Sequence, residues 1–206
     1  KWQNSWRTPA VTPNNWDAVW IFIKFRSCNS SPNDTFTHGL ISVNFADHLI
    51  PAGLQLIRTD TVIVDAIDPS PNNNGVMLRR SADGNYANPP AEYVTLKLTN
   101  LPGSGNIECR VYGIEMVYIP DGAFYLGDGD VYNATELKFR QTGSDAAINI
   151  SSEAAVTVRD AANITVPAGY PKGYKGFYIM KYEISQGQYA EFLNTLTGVS
   201  VNNRYP

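Results

Sequence analysis

The stretch WDAVWIFIKFR, residues 16–26, decides the fold class. Side chains alternate across an extended strand, so Trp16, Trp20 and Phe22 fall on one face and Val19, Ile21, Ile23 and Phe25 on the other. Both faces are apolar, which predicts a central strand covered on each side. Outward from it, residues 39–45, 61–67, 75–79, 92–99 and 107–114 carry further strand patterns. Between them lie SPND (31–34), DPSPNNNG (68–75), ADGNYANPP (82–90) and LPGSG (101–105), dense in residues that favour tight turns. Strands at this spacing, with no helical period and no fixed repeat, predict a β-sandwich over residues 1–113.

Around Gly113 the texture changes. Residues 116–119 and 123–126 read as short strands separated by the turn Pro120-Asp121-Gly122. Residues 127–176 are polar and β-branched, with strand patterns only at 155–158 and 164–166; they read as a surface excursion. Residues 177–181 form another strand. The one clear helix runs from Gln186 to about Thr197. Ser185 can cap its first turn with Gln188 at the capping-box position. Tyr189, Phe192, Leu193 and Leu196 recur at helical spacing and make one apolar stripe, and Gly198 suits the stop. That stripe needs a cover, and contact with another copy or protein is one way to supply it. The fold class expected is mainly β, with one clear helix near the end.

Composition excludes some functions. The 206 residues carry a formal charge of -3 with a pI near 5.3, so there is no basic footprint for nucleic acid or anionic lipid. No apolar run is long enough to cross a bilayer. The low charge and the abundance of Asn, Thr, Ser and aromatics fit an extracellular β protein, and a start at Lys1 is expected of a processed chain or fragment. Cys28 and Cys109 are the two cysteines. In a secreted protein they are a candidate disulfide, contributing about 3–5 kcal/mol for so long a loop. Two free buried thiols, or a reactive thiol, are the alternatives. Asn29, Asn33, Asn133, Asn149 and Asn163 begin sequons, which matter only in a host that glycosylates.

Other candidate sites are sparser. Asp121, Asp128 and Asp130 could offer carboxylates to calcium, although a polar hairpin end gives the same pattern. His38 and His48 have no companions at zinc-binding spacing. Trp2 and Trp6 are candidates for stacking on a glycan, whereas Trp16 and Trp20 belong to the core pattern. No nucleophile motif or phosphate cradle is present.

Two blocks carry a family signature: IEMVYIPDGAFYLGDG (114–129) and YPKGYKGFYIMKYEISQGQYAEFLN (170–194). They resemble the opening of the formylglycine-generating (sulfatase-modifying) enzyme domain, where M-V-x-I-P-x-G-x-F-x-x-G precedes F-Y-I-x-K-Y-E-[VI]-[ST]-x-x-Q-Y-x-x-F-L-N. The second block is the more specific. The resemblance implies a C-type-lectin-like α+β domain over 114–206, behind an accessory domain over 1–113 of the kind found in secreted bacterial proteins. In the enzymes of that family a late cysteine pair holds copper and activates oxygen. No position here matches it, so no catalytic residue and no cofactor can be carried over. Lys181 and Glu183 lie two apart in the second block and read as structural or solvent-exposed ion-pair partners.

The function expected is therefore non-catalytic: an extracellular structural or surface protein, a filament or adhesin subunit, acting through homo-oligomeric or other protein contacts. The alternatives are an N-terminal fragment of a formylglycine-generating or related metal-dependent oxidase, and a glycan-binding surface module.

Overall fold

The computed structural model describes residues 2–8, 14–29, 35–57, 73–127, 140–141, 146–159 and 163–196. The strand expected at 61–67 lies outside them. In chain order the elements are β1 (Ser5–Arg7), β2 (Trp16–Ser27), β3 (Thr37–His38), β4 (Leu54–Ile57), β5 (Gly75–Arg80), β6 (Gly84–Tyr86), β7 (Ile107–Ile119), β8 (Phe124–Leu126), β9 (Arg140–Gln141), β10 (Ile148–Ile150), β11 (Val156–Arg159), β12 (Asn163–Val166), β13 (Phe177–Met180) and the helix α1 (Gln186–Leu193). The protein is mainly β, as its sequence predicts, and antiparallel pairing joins β1 to β6, β2 to β1, β3 and β5, and β4 to β5, as well as the strands from β8 to β12.

The chain divides into two compact units, Lys1–Val117 with Ile179–Pro206, and Tyr118–Tyr178. This differs from the boundary expected at residue 113. No break occurs there, because β7 continues in extended conformation straight through Gly113 and Ile114. The residues after 178 rejoin the first unit instead of building a separate one.

In the first unit β2 is the hub, as its doubly apolar pattern requires. One edge pairs in succession with β1 at Trp16, β5 from Ala18 to Phe22 and β3 at Lys24 and Phe25. The other edge takes β7, with β13 beyond it. Among the described residues these eight strands join one branched sheet. Phe22, Ile23, Phe25, Val76, Met77 and Leu78 form its buried centre. Gly75 is fixed by close approach: a Cβ there would lie 2.9 Å from the Ile21 carbonyl oxygen and closer still to the Trp20 ring. Two irregular segments tie to each other through the bridges Ile41–Leu98 and Leu49–Thr95. His48 is buried within them; its Nδ1 accepts from the Lys97 N–H (3.1 Å) and its other nitrogen faces the Ser42 carbonyl (3.0 Å).

In the second unit β8 pairs with β10, and β11 pairs with β12 and β9. Ile148, Ile150 and Val158 form a small core. The tight hairpin expected at Pro120-Asp121-Gly122 is absent. β8 takes β10 as its partner, and the Gly122 N–H bonds to the Tyr174 carbonyl (3.0 Å).

Helix α1 starts as its sequence dictates. The Ser185 hydroxyl accepts from the Gln188 N–H (3.2 Å), and the Gln188 side chain accepts from the Ser185 N–H (3.0 Å). It ends earlier than the expected residue 197. Thr195 and Leu196 donate to Phe192 and Leu193, three residues back, and the Thr195 hydroxyl also takes the Phe192 carbonyl (2.7 Å). Such bonds tighten and close a last turn.

Candidate functional site

Two features of the first unit stand out, an apolar groove and a buried cluster of charges beside it. The groove, of about 500 Å³, lies between β7 and the chain running from Met180 into α1. Its floor is three rings. Phe22 of β2 stacks on Tyr112 of β7 (centroids 4.8 Å apart), and Phe192 of α1 meets both edge-on at 6.4 Å. Offset and edge-to-face pairs of this kind are favourable beyond their buried area. The rim is exposed and apolar: Met180, Tyr182, Ile184 and Tyr189 are each 40% or more accessible. The expected stripe is thus split. Leu193 is buried, Phe192 and Leu196 are half-buried, and Tyr189 faces outward at the rim.

Next to the groove, Asp17 of β2 is fully buried. Its Oδ1 accepts from the Ser5 hydroxyl (2.7 Å) and the Trp6 N–H (2.9 Å); its Oδ2 accepts from Trp2 Nε1 (2.8 Å) and Lys181 Nζ (2.8 Å). Lys181, just past β13, also reaches Glu115 Oε2 of β7 (3.3 Å) and the carbonyls of Gln3 (3.2 Å) and Asn4 (2.9 Å). The rings of Trp6 and Tyr182 cover the ammonium at 5.0 and 5.4 Å. Burial alone pulls the lysine pKa down, but the hydrogen bond and charge of Asp17, with Glu115 behind them, outweigh it and hold the group above its usual value. Arg80 extends the network: it donates to Ser5 (3.1 Å), stacks on Trp2 (4.4 Å) and Tyr86 (4.9 Å), and faces Glu92 at 3.9 Å.

This arrangement assigns structural contacts to several sequence candidates. Trp2 offers its indole N–H to Asp17 and one ring face to Arg80. Trp6 bonds Asn15 (2.6 Å) and lies under Lys181. The expected Cys28–Cys109 disulfide is not formed; both thiols are free and exposed. The register explains why. Phe22 faces Tyr112, Arg26 pairs with Glu108 (2.7 Å), and the Cys28 N–H bonds the Asn106 carbonyl (2.9 Å). Cys109 then sits an odd number of residues from the position opposite Cys28. Its side chain points to the other face, about 10 Å along the strand, too far for the roughly 7 Å limit between bridged Cα atoms. Asp121 is exposed, while Asp128 and Asp130 lie outside the described residues. Among the described residues no group of three or more His, Cys, Asp or Glu is placed to hold a metal, and no helix is long and apolar enough to cross a membrane.

Sequence reasoning missed Asp17 and Glu115. For Asp17 the available signal was a carboxylate inside a strand apolar on both faces, since such a residue is tolerated there only with partners. The fold and these features define a mainly β protein with antiparallel sheets, a buried ion cluster and an apolar groove. No family model, curated protein or solved structure matches the chain.

Proposed function

We propose that this is a non-catalytic extracellular structural or surface protein that self-associates through the groove between β7 and α1. The observation that carries the reading is the exposed rim of Met180, Tyr182, Ile184 and Tyr189 around an aromatic floor. An apolar patch with a concave centre is what a partner surface covers. Among the described residues β13 lies at the edge of the sheet, and its Ile179 and Met180 are exposed. Sedimentation velocity tests the reading: the protein is expected to associate as concentration rises, and Tyr182→Glu with Ile184→Glu to leave a folded monomer. A wild-type protein that stays monomeric throughout overturns it.

A second reading has its own support in the two sequence blocks at 114–129 and 170–194. On it, residues 114–206 open a formylglycine-generating-enzyme-like domain, and the parent protein is a metal-dependent oxidase. The full reading frame discriminates, since an oxidase requires a metal-ligand set such as a late cysteine pair. The glycan-binding reading has less support, because Trp2 and Trp6 are both engaged within the protein.

A further inference from the structure

The cluster around Asp17 has the components of a condensation reaction. A primary amine lies 2.8 Å from an oxygen of a carboxyl group, and a second carboxylate, Glu115, lies 3.3 Å from the same nitrogen. The Asp17 side chain is fully buried and the Lys181 side chain is 8% exposed, so bulk water does not compete for either. Holding two reacting groups together in this way replaces a bimolecular encounter by an intramolecular step. We propose that Lys181 and Asp17 join in an amide bond, Nζ to Cγ, with Glu115 carrying the protons. The proposal is independent of how copies of the protein associate.

The chemistry balances without any further reactant. The resting pair is an ammonium and a carboxylate. Glu115 takes one proton from Nζ and delivers it to Asp17 Oδ2, leaving a neutral amine beside a neutral acid. The charged pair is the resting state and the neutral pair a minor species; burial lowers the cost of reaching it, because a desolvated site penalises ions more than neutral groups. The nitrogen lone pair then attacks Cγ. Negative charge develops on Oδ1, where the Ser5 hydroxyl and the Trp6 N–H already point at 2.7 and 2.9 Å. Donors set in place before the charge appears are the main means of stabilising such a tetrahedral species. Glu115 removes the second proton from nitrogen and passes it to the Oδ2 hydroxyl. The Cγ–Oδ2 bond breaks, its electron pair leaves with oxygen, and one water departs past the Trp2 indole N–H that held that oxygen. Oδ1 remains as the amide carbonyl and Glu115 is regenerated. Glu115 is suited to carrying protons because its Oε2 is buried, lies 3.3 Å from the lysine nitrogen and has no hydrogen-bond partner among the described residues.

The test is the mass of the purified full chain under denaturing conditions, followed by protease digestion. Wild type is expected to weigh one water less than its sequence and to yield a branched peptide joining residues 17 and 181. Lys181→Arg keeps a cation in the cluster but cannot condense, and is expected at full mass. Glu115→Gln keeps both reactants and loses the proton carrier; it too is expected at full mass, with a circular dichroism spectrum like wild type. Wild-type protein that is folded yet retains its full mass overturns the proposal. So does a lost water without the branched peptide, as cyclisation at Asp83-Gly84 would give. A Glu115→Gln variant that condenses as completely as wild type overturns the role of Glu115.

Discussion

Asp17 occupies a strand that would otherwise be apolar on both faces, and four donors converge on its two oxygens. A buried carboxylate is tolerable only with such a set, because each missing partner leaves a desolvated charge uncompensated. His38 shows the opposite solution. It is half-buried beside Lys24, its Nδ1 has no hydrogen-bond partner among the described residues, and burial, with the nearby lysine charge, lowers its pKa below 6.5. The imidazole is therefore neutral in the folded protein over a range where the unfolded chain already binds a proton. Stability from this residue is complete above the unfolded value and is lost as pH falls through the folded one. Urea denaturation at pH 7.5 and 5.5 is expected to show lower stability at the acid pH, with His38→Phe shrinking the difference. An unchanged difference in the variant would assign the pH dependence to other groups.

At the scale of elements, α1 is a short helix, and eight residues are too few to hold themselves together in water. Its capping box and its packing through Phe192 and Leu193 supply what length does not. Ser185→Ala is expected to cost about 1 kcal/mol, read as a drop in the urea midpoint and faster amide exchange across Gln186–Leu193. The helix start was legible in the sequence because a capping box is local, complete within four residues. The strand β2 was legible for a similar reason, since alternation is a property of consecutive residues. The sheet's branching was not. Which strand flanks β2 depends on residues as distant as Met77 and Tyr112. The run through Gly113 was also hidden: glycine permits a break there but does not impose one. Nor could the Pro120-Asp121-Gly122 turn reveal that β8 would choose β10 over β7.

At the scale of the whole molecule, the missing disulfide and the Asp17–Lys181 contact illustrate one limit. Two cysteines invite pairing in a sequence, but a one-residue change of parity sends their side chains to opposite faces of the sheet. Both thiols are exposed, so native protein is expected to titrate fully with a thiol reagent without denaturant, at the same stoichiometry as unfolded protein. A native protein that shows no reactive thiol would contradict the register deduced for β2 and β7. The Asp17–Lys181 pair is the converse case: no local pattern connects residues 164 positions apart, yet the return of β13 beside β7 brings them into contact.

That contact closes a loop around most of the chain, including all of Tyr118–Tyr178. Were the protein pulled by its two ends, the Asp17–Lys181 junction would be one of the links that carry tension between β2 and the returning chain. The residues between would hang slack behind those links, shielded from the load for as long as they held. Whether that junction is an ion pair or a covalent bond then bears on the force at which the enclosed unit begins to stretch.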